Sequence, residues 1–203
     1  MTFPRKTERG ILSGIACFAF LAAVNPAFAQ HDIALQFIPA QTEIHYTLDA
    51  TFHTVRGTFK LQSGTIHFNP ATGAIGGEIV VAAASGNSGN SSRDQKMHQE
   101  VLESGHYREI TFLPGRIDGT LAPQGTSSLQ VHGTFGLHGA THEITIPVQV
   151  AMASGHWTAT THFTIPYVQW GLKNPSTFFL HVSKTVDIDV QTAGAISPPR
   201  ATR

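Results

Sequence analysis

Hydrophobic and polar residues alternate through most of the chain beyond its N-terminal segment, which is the period-2 pattern of half-buried β-strands. Ile44, Tyr46 and Leu48 alternate with polar residues in this way. The pattern, interrupted by Gly, Pro, Asn and Ser turns, predicts about nine or ten strands. The predicted strands are residues 44–48, 58–62, 65–69, 78–84, 109–113, 116–121, 128–137, 142–152, 156–166 and 178–190.

One segment breaks the alternation. Residues 85–92 (SGNSGNSS) have the composition of a loop. Ser92 then stands three residues before Gln95, which is the spacing of a helix capping box. Residues 93–104 are good helix formers, and Gly105 follows where a left-handed C-terminal cap is expected. The sequence therefore predicts one short helix.

Many strands, short turns and one helix indicate an antiparallel all-β domain, because parallel strands need long crossover connections. Periodicity does not distinguish a sandwich from a closed barrel, so both stay open at this point. The predicted domain covers residues 42–190, preceded by an N-terminal segment at residues 30–41. Residues 191–203 contain a Pro-Pro pair and are predicted to be a disordered tail.

The first 29 residues have the features of a secretory signal peptide. Three basic residues within the first nine positions precede an apolar run at residues 11–24, and residues 27–29 (AFA) form a small-x-small cleavage site. The apolar run is shorter than the ~20 residues needed to span a bilayer, and no later run approaches that length. These features favour cleavage over an uncleaved anchor or lipid attachment at Cys17. We therefore expect residues 1–29 to be removed.

Charge and cysteine content narrow the classes of function. The complete chain has 13 Lys and Arg residues and 13 Asp and Glu residues, and no basic cluster follows the first ten positions. This argues against nucleic-acid binding, which needs a clustered cationic surface. The one cysteine, Cys17, lies in the predicted signal peptide. The mature chain would have no disulfides, and its stability would come from a hydrophobic core.

Aromatic residues occupy many of the alternating strand positions. They are Tyr46, Phe59, Phe68, Phe112, Phe135, Trp157 and Phe163. Any one of them is most simply an ordinary core residue. Taken together they suggest a further possibility, because a small antiparallel barrel either fills its interior with side chains or holds one small ligand there. The sequence alone does not distinguish a filled interior from a hollow one.

Five short motifs occur in order through the predicted domain. They are Gly57-Thr58-Phe59, Arg93-Asp94-x-x-Met97, Tyr107-x-x-Ile110-Thr111-Phe112, VHGTFGLHGAT at 131–141 and PYVQWGLKNPS at 166–176. Together they resemble the YceI-like family of polyisoprenoid-binding periplasmic proteins.

The resemblance implies a lipocalin-like antiparallel β-barrel of about eight strands, with one short helix and an internal tunnel. It also implies a periplasmic, non-catalytic protein without a cofactor, which binds an isoprenoid or fatty-acid-like chain for transport, storage or stress protection. The ligand-binding candidates are Phe59, Phe68, Phe112, Phe135, Trp157 and Phe163, with Trp170 near the mouth and Arg93 at the head group. Arg93 has a second interpretation, as a structural partner of Asp94 at the start of the helix.

The sequence offers little support for an enzyme and some for a metal site. The chain lacks the G-x-S-x-G elbow, the G-x-x-x-x-G-K phosphate loop and the H-E-x-x-H zinc motif. Asp187 and Asp189 share one strand face, which is most simply a solvated face. The chain contains 12 histidines, and imidazole is a common ligand of Zn²⁺ and Cu²⁺. A metal-binding or redox-partner module, with His132, His138 and His142 as ligands, is therefore the alternative hypothesis.

Overall fold

A computed structural model describes residues 32–197, and in it eight antiparallel strands close into one barrel in sequence order. The strands are β1 (Ile33–Ala50), β2 (His53–Phe68), β3 (Ile75–Asn87), β4 (Glu109–Asp118), β5 (Gly125–Leu137), β6 (Ala140–Ala153), β7 (His156–Ile165) and β8 (Val186–Ser197). The helix α1 (Ser91–Lys96) and a π-helical turn (Met97–Val101) connect β3 to β4. The predicted all-β, lipocalin-like barrel with one short helix is confirmed. The predicted signal peptide lies outside the described residues.

The barrel closes because β8 pairs with β1 as well as with β7. Ile44 of β1 lies opposite Val190 of β8, and Phe163 of β7 lies opposite Ile188 of β8. Closure gives every strand two hydrogen-bonded neighbours and leaves no free sheet edge. The alternating apolar residues then face one shared interior, so the sandwich alternative does not apply.

Two gaps between predicted strands lie instead within continuous strands. Ser63-Gly64 falls inside β2, where the register with β3 shifts between Leu61 and Ser63. Pro114-Gly115 falls inside β4, where the register with β5 shifts between Pro114 and Arg116. Turn-forming residues at these positions produce β-bulges, which bend a strand and increase its twist. The barrel therefore has eight long, curved strands in place of the predicted nine or ten.

Both ends of the domain extend beyond the predicted limits of 42–190. β1 begins at Ile33, inside the predicted N-terminal segment, and β8 continues to Ser197, inside the predicted disordered tail. The two extensions pair with each other, since Leu35 lies opposite Ile196. Residues 193–195 are Ala, Gly and Ala, so this part of β8 lacks the alternation of large apolar and polar side chains that predicts a strand. The prediction of disorder was therefore wrong for residues 191–197.

The helix is shorter and starts earlier than predicted. Asn90, not Ser92, caps it, because the Asn90 side chain accepts a hydrogen bond from the Arg93 backbone amide at 3.0 Å. The left-handed residue after the helical segment is Glu103 (φ 45°), not Gly105. The cap moves because β3 continues to Asn87 and takes up three of the eight residues of the predicted loop.

The connections between strands differ strongly at the two ends of the barrel. In an up-and-down barrel, alternate connections lie at the same end. One end, here called the helix end, carries the β1–β2 and β5–β6 turns, the helical segment at residues 88–108 and the long β7–β8 connection at residues 166–185. The opposite end, here called the turn end, carries the β2–β3, β4–β5 and β6–β7 connections, none of which is longer than six residues. Any opening shaped by variable segments therefore lies at the helix end.

Candidate ligand cavity

The interior of the barrel is hollow. A cavity of about 670 Å³ is lined by residues from all eight strands, from the helical segment and from the β7–β8 connection. This volume lies within the range of about 300–1,000 Å³ that is usual for small-molecule sites. No large side chain among the described residues is less than 2% exposed, because the inward-facing side chains border open space. The sequence left open whether side chains fill the barrel interior, and the structure shows that they do not.

The structure brings seven of the eight predicted site residues together around this cavity. They are Phe59, Phe68, Phe112, Phe135, Trp157, Phe163 and Arg93. Trp170 does not line the cavity. Its ring stacks on the ring of His142, with centroids 4.2 Å apart and an interplanar angle of 2°, and lies 5.7 Å from the ring of Phe135. Trp170 therefore packs beside a cavity-lining residue and does not border the cavity itself.

Trp157, the second residue of β7, lines the cavity at the turn end. Its ring meets that of Phe37 edge to face at 4.6 Å, and its indole Nε1 donates to the Ala195 carbonyl at 3.3 Å. Gly194 provides the space for this arrangement. A Cβ atom on Gly194 would lie 2.0 Å from the Gln36 carbonyl oxygen and 2.6 Å from the indole ring. The segment that sequence analysis assigned to a disordered tail thus packs against a residue that lines the cavity.

A polar cluster centred on Ser88 lies at the helix end. Arg93 donates from Nε to the Ser88 hydroxyl oxygen at 2.7 Å and from Nη2 to the Ser88 carbonyl at 2.8 Å. The amide and the hydroxyl of Ser88 both donate to one carboxylate oxygen of Asp94. Partial desolvation opposes ionisation of Asp94, but these hydrogen bonds and the Arg93 charge hold its pKa below the usual value. Arg93 and Asp94 are therefore linked through Ser88, as part of the structural role predicted for the pair.

Arg93 also has donors left for a ligand. A guanidinium group has five N–H donors, and two of those of Arg93 bond Ser88. Arg93 and Lys96 supply the cationic groups of a lining that is otherwise almost entirely apolar. The adjacent Tyr46 is 5% exposed, and burial raises the pKa of its hydroxyl, which stays neutral. The cavity thus has a cationic end and an apolar end, an arrangement suited to an amphiphile lying lengthwise.

The β7–β8 connection forms part of the cavity wall at the helix end, which sequence analysis missed. The sequence pattern predicted a strand that begins at Phe178, but β8 begins at Val186. Tyr167 anchors the connection, because its hydroxyl donates to the Ser183 carbonyl at 2.7 Å and burial raises its pKa to about 12. Asn174-Pro175, a turn-forming pair, was the available sign that this segment is a loop.

The three histidines of the metal-binding alternative take separate partners. His132 pairs with Asp118 at 2.7 Å, His138 pairs with Glu103 at 3.2 Å, and His142 stacks on Trp170. Within residues 32–197, no three His, Cys, Asp or Glu side chains lie close enough together to hold a metal ion. The structure therefore does not form the ligand set on which that alternative depended.

Asp187 and Asp189 lie on the outer face of β8, away from the cavity. Asp187 accepts a hydrogen bond from the Thr164 hydroxyl at 2.6 Å, and Asp189 pairs with His162 at 2.8 Å. Both contacts are cross-strand pairs between β7 and β8 on a solvated face.

Comparison with known proteins agrees with this architecture. The family model of the YceI-like domain matches residues 35–193 of the chain, which include most or all of every strand. The chain belongs to the YceI-like family. The match begins before residue 42 and ends after residue 190, in agreement with the longer β1 and β8. No curated protein sequence matches the chain.

Several solved structures share the fold of this YceI-like barrel at 17% sequence identity. BcnA from Burkholderia cenocepacia superposes with a TM-score of 0.63, over 78% of this chain and 99% of that one. A polyisoprenoid binding domain from Saccharophagus degradans, implicated in plant cell wall breakdown, gives 0.59 over 82% and 98%. The Campylobacter jejuni YCEI protein gives 0.58 over 74% and 88%. At this identity the likeness establishes the fold.

No helical segment within residues 32–197 has the length and apolarity of a membrane-spanning helix.

Proposed function

We propose that the protein binds one isoprenoid or other long-chain amphiphile inside its barrel and acts as a non-catalytic carrier in the periplasm. The observation that carries the proposal is the chemistry of the cavity, whose lining is almost entirely apolar apart from the cationic side chains of Arg93 and Lys96 at the helix end. Membership of the YceI-like family supports a lipid-binding role. The description of the Saccharophagus degradans domain as polyisoprenoid binding supports the ligand class.

The apolar lining favours long chains over short ones. Each methylene group moved from water into the cavity gains about 0.8 kcal/mol. A chain of about ten methylenes would gain about 8 kcal/mol, which is comparable to the entropic cost of association of about 4–15 kcal/mol. The free energy gained on burial increases with chain length, as long as the cavity accommodates the chain. The barrel is also preformed, so binding does not have to order it.

The position of the charges predicts the orientation of the ligand. Arg93 and Lys96 line the helix end, so we expect a carboxylate or phosphate head group there and the tail directed towards Trp157. Delivery to the periplasm follows from the signal-peptide features of residues 1–29. The intact mass of the secreted protein tests this point, and the expected mass is that of residues 30–203.

The proposal is tested by identifying what the barrel contains. Native mass spectrometry of gently purified protein should show one bound amphiphile per chain, and lipid extraction should identify it. Ala159 lines the cavity, whereas the neighbouring Thr160 is exposed. The variant Ala159→Trp should therefore lose the ligand, and the matched control Thr160→Trp should keep it.

Circular dichroism of both variants verifies that the barrel has folded. Full ligand occupancy in a folded Ala159→Trp protein would contradict the proposal. So would wild-type protein that carries no amphiphile and takes up no added fatty acid or isoprenoid.

A further inference from the structure

Three phenylalanines are strongly exposed to solvent at the helix end of the barrel. Phe52 is 79% exposed in the β1–β2 turn, and Phe178 and Phe179 are 88% and 79% exposed in the β7–β8 connection. The one other exposed large hydrophobic side chain among the described residues is Leu113, at 42% on β4. Exposed apolar side chains gathered at one place mark interaction surfaces, whereas scattered ones need no explanation.

Hydrogen bonds hold the two segments that carry these phenylalanines side by side. The Thr51 amide donates to the His181 carbonyl at 2.9 Å, and the His181 amide donates to the Thr51 hydroxyl at 3.0 Å. Phe178 and Phe179 occupy the centre of a turn closed by the Thr177 amide, which donates to the Leu180 carbonyl at 2.9 Å. The three phenylalanines therefore form one surface, here called the mouth patch.

The mouth patch adjoins the cavity wall at the helix end. Ala50 and His53, which flank the β1–β2 turn, line the cavity, and so do Thr177 and Leu180, which flank the two phenylalanines of the other segment. The same short segments thus contribute to the cavity wall on one side and present aromatic rings to solvent on the other. Whatever covers the mouth patch therefore lies next to the helix end of the cavity.

The charges around the mouth patch select the class of partner. Residues 50–56 and 177–185 contain Arg56, Lys184 and two histidines, and no carboxylate. Asp49 lies next to the first segment, where one of its carboxylate oxygens accepts a hydrogen bond from Thr54 at 2.8 Å. Exposed aromatic side chains beside cations are the combination that binds the interface of a membrane with anionic lipids.

We propose that the mouth patch docks the barrel on an anionic lipid surface, so that the cavity opens directly towards the bilayer. This inference rests on the proposed function, because it supplies the route by which an amphiphile enters and leaves. In the docked position a long apolar chain moves between bilayer and cavity without crossing water. The phenylalanines insert at the level of the head groups, and Arg56 and Lys184 face the anionic lipids.

The test measures vesicle binding of the protein as secreted and processed by the expression host. Vesicles of equal parts phosphatidylcholine and phosphatidylglycerol are compared with vesicles of phosphatidylcholine alone. The variant F52S/F178S/F179S removes the mouth patch, and Leu113→Ser removes an exposed apolar side chain on the outer wall. We expect the triple variant to bind mixed vesicles at least about tenfold more weakly, because each phenylalanine contributes apolar burial. Leu113→Ser should bind like the wild type, and pure phosphatidylcholine should bind less protein.

A triple variant that binds as strongly as the wild type would overturn the docking proposal. Wild-type protein that does not bind vesicles but forms dimers, which the triple variant cannot form, would also overturn it. The patch would then bind a second copy of the chain. Ligand content, measured separately by native mass spectrometry, should be equal in all variants. An empty cavity in every variant contradicts the proposed function, whereas normal content without vesicle binding contradicts docking alone.

Discussion

At the scale of single residues, the inward aromatic positions could be predicted and their surroundings could not. Period-2 alternation identifies which face of a strand a side chain occupies, so Phe112 and Trp157 were correctly assigned to the interior. Trp170 was assigned to the mouth but stacks on His142, because its position depends on the path of the β7–β8 connection. The Ser88 cluster was also missed, since it forms only when β3 and α1 meet.

Arg93 gives a prediction about the head group of the ligand. Replacement by Gln removes a charge-assisted hydrogen bond, which is worth about 1.5–3 kcal/mol, so binding of a long-chain fatty acid should weaken about 10- to 100-fold. Binding of the corresponding long-chain alcohol should change much less, because it carries no charge. Fluorescence titration measures both affinities. Arg93→Lys should recover part of the difference, and Arg116→Gln, on the outer wall, is the matched control. An equal loss for acid and alcohol would contradict the assigned contact.

Gly194 gives a prediction about packing at the turn end of the cavity. In Gly194→Ala the new Cβ would meet the Gln36 carbonyl and the Trp157 ring, and such overpacking costs about 1–3 kcal/mol. Gly76→Ala, in β3, is the control, since a Cβ there has no neighbour within 4 Å. Urea unfolding should give a lower free energy of unfolding for Gly194→Ala than for Gly76→Ala. Equal values would contradict the pairing of this part of β8 with β1.

Tyr167 gives a prediction about alkaline pH. Burial raises its pKa from 10.0 to about 12. The unfolded chain therefore ionises first, and the contribution of Tyr167 to stability is complete below pH 10 and is lost as the pH rises towards 12. In Tyr167→Phe the free energy of unfolding should fall less steeply over this range, and it should be about 1–3 kcal/mol lower at neutral pH because the Ser183 carbonyl loses its donor. Identical slopes in both proteins, measured by urea unfolding, would contradict the buried position.

At the scale of elements, strand identity could be predicted more reliably than strand length. Ser63-Gly64 and Pro114-Gly115 have the composition of turns but lie at bulges, and only the neighbouring strand decides between the two. The pairing of β1 with β8 joins residues on opposite sides of the whole domain, so no local pattern encodes it. The cap of α1 moved for a similar reason, because β3 extends into the predicted loop.

Truncation tests the extended β8. A chain that ends at Val190 loses the residues that pair with the start of β1 and with the start of β7, which leaves both strands with an open edge. We expect a much lower unfolding midpoint or loss of a cooperative transition, followed by circular dichroism on heating. A chain that ends at Ser197 keeps every described strand and should unfold like the full chain. Equal midpoints for the two truncated chains would contradict barrel closure through residues 191–197.

At the scale of the whole molecule, the class of fold was accessible from sequence and the hollow interior was not. Alternation predicted an antiparallel all-β domain, and the motif resemblance narrowed it to a lipocalin-like barrel. Whether eight strands enclose side chains or empty space depends on barrel diameter and on how the inward side chains fit together. That fit depends on register, bulges and the connections at the helix end. The proposed ligand binding therefore rests on the assembled cavity and not on any single motif.

The most direct test of the account is a crystal structure of the protein purified without any delipidation step. We predict one continuous, elongated density inside the barrel, with its polar end beside Arg93 and its tail reaching Trp157. A barrel interior that holds only water, or that side chains have collapsed to fill, would contradict the central claim.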